Sequence, residues 1–402
     1  MEAQIHELID LVTRWVHVIA GIMWIGNSLL FNWLDRNLEK PSTEEANAAT
    51  AKGEVIEGRI WLLHSGAFYD VVKKQLAPNQ LPAALHWFKW QNFTTWASGI
   101  GLLIVVYYMS GGALLVDTGI AKIGAPVAIF VGLTSIVSSW LFYHLLWISP
   151  LREKPAIATS LSLSFAALTC YALTHVLSGR AAYIHMGVIL GTVMTGNVWF
   201  VIVPSQHELV NATREGRAQD KSIGLRAKQR SIHNNYMTFP LLFIMVSNHF
   251  PSAYGSKLNW LILAVVAVGG ALSRHWLNVR FWNRAWGPAM TTTIAATLGL
   301  LFFLTRPPHR EEGAKKVSYS EVKTVIDARC LQCHAERPTD DTWKVAPKGV
   351  MFNTPAQTIA QAARIKEFAF VNKMMPLGNK TGITDEERGL LADWADQGAT
   401  GP

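Results

Sequence analysis

The segment Cys330-Leu331-Gln332-Cys333-His334 forms a C-x-x-C-H motif near the end of a 402-residue chain. Two thiols at this spacing can form thioethers to one porphyrin while the adjacent histidine reaches its iron, so the motif predicts one covalent haem c. A chance match, a zinc half-site and a redox-active thiol pair are the alternatives. The zinc interpretation lacks a second C-x-x-C or histidine pair nearby, and the redox interpretation lacks a βαβ pattern, so we favour haem.

A haem that carries electrons is expected to have a second axial ligand, and a thioether raises its potential into the carrier range. Met374-Met375-Pro376, with Leu377-Gly378-Asn379 and the later Trp394, resembles the carboxyl-terminal half of small bacterial cytochromes c. This resemblance implies Met375 as the iron ligand, with Met374 as second choice and Met351 as third. The alternative for any single methionine is core packing.

Composition indicates what surrounds this motif. The chain is 50% hydrophobic and only 16% charged, which argues against an ordinary cytosolic enzyme and for contact with lipid. The formal net charge is +8, but the basic residues fall between apolar runs and form no patch interleaved with aromatic side chains, so we expect membrane lipid and no nucleic acid as a partner.

Eight apolar runs are long enough to cross a hydrocarbon core, which takes about 20 residues. They lie near 11–33, 93–116, 123–147, 157–177, 181–203, 236–251, 258–274 and 287–305. We therefore predict an all-α chain: a polytopic membrane helix bundle over 1–306, a linker over 307–316 and a small cytochrome c domain over 317–402. Ser318-x-x-Glu321 and Thr384-x-x-Glu387 predict capping boxes that begin helices of the second domain.

The loops differ in their content of Lys and Arg. Segments 35–92, 149–156, 205–235 and 274–286 contain eighteen of these residues, whereas the opposite loops contain only Lys122, Arg180 and Lys257. Cytoplasmic loops retain positive residues during insertion. We therefore expect a multi-pass protein of the bacterial inner membrane, with both termini and the cytochrome c domain on the periplasmic side.

Ionisable residues inside spans are costly and are candidates for function. His17, His185 and His249 are expected toward the outer side, and we consider them as ligands of haem b or of a metal in the membrane domain. Hydrogen-bonded helix packing and interfacial anchoring are the alternative for each of them.

A substrate site is predicted in the inner segments 58–70, 86–96 and 231–249. A mixture of cation, amides, imidazoles and flat rings suits a planar polar anion, although it also suits an interfacial belt of anchoring side chains. The candidate catalytic residues are Arg59, His64, His86, His233 and Asn234.

Four stretches in this order resemble the membrane-integral bacterial urate oxidases with a fused cytochrome c. They are Trp15-Val16-His17 running to Asn27-Ser28, His86-Trp87-Phe88-Lys89-Trp90, His233-Asn234-Asn235-Tyr236 running to Ser247-Asn248-His249, and the C-x-x-C-H domain. The resemblance implies oxidation of urate to 5-hydroxyisourate in purine degradation. It also implies electron transfer through the haem iron to a respiratory acceptor, such as a terminal oxidase or a soluble cytochrome.

Two other classes of function are compatible with these residues. One is a quinol-linked or other-donor-linked electron-transfer protein of the membrane. The other is a purine transporter or sensor in which the cytochrome domain reports redox state.

Overall fold

The structure is a computed structural model, and it describes residues 2–306 and 316–402. The chain is mostly helical. Six helical segments are long and apolar enough to span a membrane. They are Gln4–Asn37, Ala125–Ile148, Pro155–Thr174, Gly179–Glu215, Asn259–Val279 and Trp286–Leu304.

Eight spans were expected, and the remaining two coincide with helices of a different character. The run near 93–116 begins within a helix over Lys89–Leu102 that passes into a π-helical turn over Leu103–Tyr108. The run near 236–251 is the second half of a 27-residue helix, Lys221–Ser247, whose first half is basic and amide-rich. The structure therefore supports six candidate spans and two further helices packed among them.

The amino-terminal part is built from α-helices and one β-hairpin. They are α1 (Glu2–Asn37), α2 (Thr43–Ala51), β1 (Val55–His64), β2 (Ala67–Gln75), α3 (Lys89–Leu102), α4 (Ala125–Ile148), α5 (Pro155–Thr174), α6 (Gly179–Asn197), α7 (Val203–Glu215), α8 (Lys221–Ser247), α9 (Pro251–Tyr254), α10 (Asn259–Val279) and α11 (Trp286–Leu304). A π-helical turn over Val198–Ile202 joins α6 to α7.

The prediction of an all-α chain is wrong for residues 55–75. β1 and β2 pair in antiparallel register, from Val55 opposite Gln75 to His64 opposite Ala67. Ser65 and Gly66 connect them with positive φ angles of 50° and 75°, the conformation that two-residue hairpin turns require. The hairpin lies at the end of the bundle that carries the Lys- and Arg-rich loops, which we call the basic end.

The core of the bundle forms around α6, which packs against α3, α4, α5 and α8. Tyr183, Ala182 and Leu177 are completely buried in this core. Cys170 is also buried there, as the apolar run around it predicts.

The carboxyl-terminal part has a separate small core. Its helices are α12 (Tyr319–Arg329), α13 (Pro355–Ala360), α14 (Ala362–Ile365) and α15 (Asp385–Asp396). The two predicted capping boxes are confirmed. The hydroxyl oxygens of Ser318 and Thr384 each accept from the backbone N–H of the glutamate three residues later, and their own backbone N–H groups donate to the carboxylate of that glutamate. Trp394 is fully buried in this core. The predicted linker, 307–316, lies outside the described residues except for its last position.

The carboxyl-terminal part lies against the end of the bundle opposite the basic end. The backbone N–H of Thr118 donates to the carbonyl of Gly378 over 3.0 Å, and the Thr118 hydroxyl donates to the carbonyl of Asn379 over 2.9 Å. These contacts use a loop that is poor in Lys and Arg, so the two ends of the bundle differ in both charge and partner.

Candidate functional site

A cluster of polar side chains is buried near the basic end, where α8 passes α4 and α6. The Tyr143 hydroxyl is hydrogen-bonded to Nδ1 of His233 over 2.7 Å. The Asn197 amide donates to Oδ1 of Asn234 over 2.8 Å and to the Tyr143 hydroxyl over 3.1 Å. Side-chain hydrogen bonds therefore join α4, α6 and α8 inside the bundle. Arg230 completes this group, which we call the Arg230 cluster.

Arg230 is 2% exposed and forms no ion pair with a carboxylate in the part of the chain that the structure describes. Its guanidinium carbon lies 4.9 Å from the ring centre of Tyr143 and 5.9 Å from that of Trp147. The Nη1 atom is buried and has no hydrogen-bond partner among the described residues. A buried charge without a counter-charge costs several kcal/mol, so an unpaired guanidinium facing aromatic rings is typical of a site that receives an anion.

The backbone changes at the same level of the bundle. α6 ends at Asn197, and the next five residues form the π-helical turn over Val198–Ile202. Such turns occur frequently at functional sites, because one extra residue per turn re-aims the side chains around it.

A second polar face of α6 points toward α3. Asn92 donates to the Thr195 hydroxyl over 3.1 Å, and its own Oδ1 has no partner among the described residues. The indole N–H of Trp199 is also buried and has no hydrogen-bond partner among the described residues. The Lys89 ammonium lies 5.6 Å from the centre of the Trp199 ring. This face therefore adds one acceptor and one donor that are unsatisfied among the described residues, close to the basic end.

The structure separates the predicted catalytic residues into two groups. His233 and Asn234 belong to the Arg230 cluster. Arg59 lies in the hairpin, where it makes two hydrogen bonds with Asp70, of 2.8 and 2.9 Å, and pairs with Glu45.

The other two predicted residues lie on exposed parts of the chain. His64 is exposed at the end of β1, and His86 is exposed in the segment before α3. The hydrogen bonds between Arg59 and Asp70 join β1 to β2 and raise the pKa of Arg59. The structure therefore does not bring Arg59, His64 and His86 to the Arg230 cluster.

Three members of the cluster were missed in the sequence, namely Tyr143, Asn197 and Arg230. Arg230 was counted with the inner loop because the apolar run begins only at residue 236, whereas α8 begins at Lys221 and buries this position. For Tyr143 and Asn197 the available signal was a polar side chain within an apolar helix, which is a functional candidate by default.

The histidines that were considered for a membrane haem lie in different surroundings. His17 joins α1 to α3, with Nδ1 2.9 Å from the Thr95 carbonyl and 3.2 Å from the Ser98 hydroxyl. His249 is exposed beyond the end of α8.

His185 is fully buried with both ring nitrogens engaged. Its Nδ1 is 2.8 Å from the Ala181 carbonyl, and its Nε2 is 2.9 Å from the Tyr108 hydroxyl. The ring is also packed so closely on Gly132 that even a methyl group there would collide with it. These surroundings do not fit a haem b ligand at His185.

Comparison with known families identifies the larger part of the chain. Residues 3–305 match the family described as urate oxidase N-terminal. The chain belongs to the urate oxidase N-terminal family. Comparisons with curated proteins and with solved structures give no match. The matched range contains the whole Arg230 cluster and ends before the carboxyl-terminal part, so this urate oxidase family member carries an additional domain outside the match.

The C-x-x-C-H motif of this additional domain lies at the end of α12. The backbone N–H of His334 donates to the Cys330 carbonyl over 2.9 Å, so the motif forms one tight turn. Nδ1 of His334 is 2.9 Å from the Val350 carbonyl, which fixes the orientation of the ring. Burial raises the pKa of Cys330 to about 12 and that of Cys333 to about 11, which is unlike the lowered pKa of a redox-active thiol pair.

Across residues 2–306 and 316–402, no group of three or more His, Cys, Asp and Glu side chains is arranged to hold a metal ion. A haem needs fewer protein ligands than such a group, because the porphyrin supplies four nitrogens of its own. The turn at Cys330, the oriented His334 and the two free thiols therefore fit a haem c better than a zinc site.

The two methionines that follow are in different environments. The Met374 sulfur accepts a hydrogen bond from the Tyr254 hydroxyl over 3.2 Å, and the side chain packs against the core of the membrane bundle. The Met375 backbone is held inside the carboxyl-terminal domain, because its N–H donates to the Phe368 carbonyl over 2.8 Å and its carbonyl accepts from Arg388 over 2.6 Å. This arrangement places the Met374 side chain at the contact between the two domains.

Proposed function

We propose that the protein oxidises urate to 5-hydroxyisourate and delivers the electrons to a haem c in its carboxyl-terminal domain. Membership of the urate oxidase N-terminal family supports a urate-related oxidoreductase. The observation that carries the choice of site is the buried, carboxylate-free guanidinium of Arg230. Urate is a planar monoanion at neutral pH, so it supplies the negative charge that the Arg230 cluster lacks.

The cluster matches the other features of urate as well. Arg230 offers a planar fork of donors to the oxygens of the anion. The hydrogen bond between the amides of Asn197 and Asn234 holds α6 and α8 together beside Arg230, and the ring of Trp147 provides a flat apolar wall. Because a pocket with paired polar groups rejects analogues that lack a partner atom, this combination would also select among purines.

The reaction needs a proton acceptor and an electron acceptor. The urate monoanion and water give neutral 5-hydroxyisourate, one proton and two electrons, with the new hydroxyl oxygen coming from water. We propose that His233, oriented by its 2.7 Å bond to Tyr143, accepts a proton from the attacking water. Arg230 then holds the anion in place while its electrons leave.

The electron acceptor is proposed in the second domain. Cys330 and Cys333 would hold haem c through thioethers, His334 and Met375 would be its axial ligands, and the haem would supply one-electron redox chemistry. Because one haem takes one electron at a time, the protein delivers the pair in two steps. A terminal oxidase or a soluble cytochrome of the respiratory chain is the proposed next acceptor.

The orientation in the bacterial inner membrane is part of this proposal. The basic end is proposed to face the cytoplasm, because positive residues are retained there, and the carboxyl-terminal domain then lies in the periplasm. The Arg230 cluster is near the basic end, so urate would enter from the cytoplasmic side. A membrane haem ligated by His185 is not part of the proposal, since the surroundings of that ring do not fit one.

The test uses the purified full-length protein without oxygen and with ferricyanide as the final electron acceptor. We expect urate to be consumed and two ferricyanide ions to be reduced for each urate. Urate that binds without being consumed would support the transporter or sensor class, and reduction by a quinol but not by urate would support the quinol-linked class. Either result would overturn the proposal.

A further inference from the structure

A second buried polar cluster lies on the neighbouring face of α8, where the ends of α1 and α10 meet at the basic end. Arg274 donates through Nε to Oδ1 of Asn235 over 3.0 Å, and Asn278 donates to the same oxygen over 2.8 Å. Arg36 donates through Nη1 to the backbone carbonyl of Asn278 over 2.9 Å and through Nε to Asn32 over 3.1 Å. We call this group, with Arg280, the Arg274 cluster.

Three guanidinium groups gather here without a counter-charge. Arg36 and Arg280 both lie within electrostatic range of Arg274. None of the three forms an ion pair with a carboxylate among the residues that the structure describes. Asp35, which precedes Arg36, is paired with Lys73 over 2.9 Å. Like charges repel strongly where water is scarce, so such a group is stable only with an anion nearby.

Two buried hydrogen-bonding groups that are unsatisfied among the described residues indicate a ligand independently of charge. Nδ2 of Asn235 is a buried donor, and Oδ1 of Asn278 is a buried acceptor, and neither has a partner in the described part of the chain. The two residues are only 4% and 3% exposed, so solvent does not easily satisfy them. Burying such an atom without a partner is destabilising, and a ligand that pairs with it removes this cost. A ligand with both anionic oxygens and a hydroxyl group would satisfy the two atoms together.

The position of the cluster indicates where that ligand comes from. Phe281 and Trp282 follow Arg280 at the end of α10, and both are exposed, Trp282 to 61%. The Arg36 guanidinium lies 5.2 Å from the ring centre of Trp282. Exposed Trp and Phe beside Arg at a helix end are typical of the depth of lipid headgroups.

We propose that the Arg274 cluster binds the headgroup of an anionic phospholipid. The phosphate would bind between Arg36, Arg274 and Arg280, and a headgroup hydroxyl would donate to Oδ1 of Asn278. Basic pockets between helices on the cytoplasmic side are known to select anionic headgroups in this manner. The site differs from the proposed urate site, because Asn235 and Asn234 leave α8 on different faces toward different helices.

The experiment follows thermal unfolding of the full-length protein in detergent after the bound lipid has been removed. Phosphatidylglycerol, phosphatidylcholine, inorganic phosphate and urate are added in separate titrations. We expect phosphatidylglycerol to raise the unfolding midpoint saturably and the other three to leave it unchanged at matched concentrations. The urate arm is also repeated with phosphatidylglycerol present, to show whether the two compete.

Variants test the named residues. Arg36→Gln and Arg280→Gln each remove a charge from a partly exposed side chain, and each is expected to require about tenfold more phosphatidylglycerol for half-saturation. Arg284→Gln is the matched control, because Arg284 is an exposed arginine of the same loop, and it is expected to titrate as the wild type. Using two variants keeps the test valid if one of them fails to fold.

Several results would overturn the proposal. Equal stabilisation by inorganic phosphate would mean that the site takes phosphate from solution, and competition by urate would mean that it is a substrate site. An unshifted phosphatidylglycerol titration in both variants would mean that lipid acts elsewhere.

Discussion

Arg230→Met is expected to stabilise the protein and to weaken its binding of urate at the same time. Arg230 is 2% exposed and has no carboxylate partner among the described residues, so the substitution removes a charge that costs several kcal/mol to bury. The cation–π contacts of the guanidinium with the rings of Tyr143 and Trp147 offset about 2 kcal/mol of this cost, and a methionine at this position does not make them. The net expected gain in unfolding free energy is about 1–3 kcal/mol.

The effect on urate has the opposite sign. A hydrogen bond between a charged donor and an anion contributes about 1.5–3 kcal/mol. Loss of the guanidinium is therefore expected to raise the dissociation constant of urate about tenfold to a hundredfold. Opposite changes in stability and binding are typical of a side chain that is kept for its ligand and not for the fold.

Two measurements on the same preparation test this prediction. The unfolding midpoint is measured without urate, and equilibrium dialysis without oxygen gives the urate affinity. Lys228→Met is the matched control, because it removes one positive charge from an exposed position of the same helix and should change neither quantity. A less stable Arg230→Met variant that binds urate like the wild type would show that Arg230 is structural and would refute the reasoning.

Three other predictions concern the remaining sites. Met375→Leu is expected to remove the spectral signature of His/Met ligation and to lower the reduction potential of the haem. Met374→Leu should leave the spectrum and the potential as in the wild type. An unchanged spectrum in Met375→Leu would contradict the assignment of Met375 as the ligand. His185→Gln is expected to leave the haem content of the purified protein unchanged, and loss of a b-type band would refute this. Burial opposes ionisation of Asp340, but the bond from Lys380 and two backbone N–H groups outweigh it and lower its pKa to about 2. The stabilisation by ionised Asp340 is present above the unfolded pKa and is lost as the pH falls from about 4 through 2. Asp340→Asn should therefore destabilise the carboxyl-terminal domain by about 1–2 kcal/mol at pH 7 and by less at pH 3, as measured by hydrogen exchange. An equal loss of stability at both pH values would contradict this prediction.

The sequence was most informative where local patterns decide the structure. The capping boxes at Ser318 and Thr384 bond only groups three residues away, so their geometry does not depend on the rest of the fold. The long apolar helices were found because their composition must satisfy lipid along the whole length. The hairpin has a local signal in Ser65-Gly66 between two β-rich runs, but its strands are too short and too polar to stand out among the long apolar runs.

The candidate site depends on contacts that no local pattern contains. His233 and Asn234 could be selected because they follow each other in a polar segment near an apolar run. Their partners Tyr143 and Asn197 lie on other helices, so only the packing of α4, α6 and α8 brings them together. For the same reason Arg59 resembled an anion ligand in the sequence, whereas in the fold Asp70 engages its guanidinium.

The most direct test of the proposed function is an optical spectrum of the oxidised, full-length protein before and after urate is added without oxygen. We expect urate to reduce a c-type haem band, since the Arg230 cluster and the C-x-x-C-H domain belong to one chain and the two domains are in contact. If urate leaves the spectrum unchanged while dithionite reduces the haem, electron transfer from urate to this domain does not occur, and the proposed function is wrong.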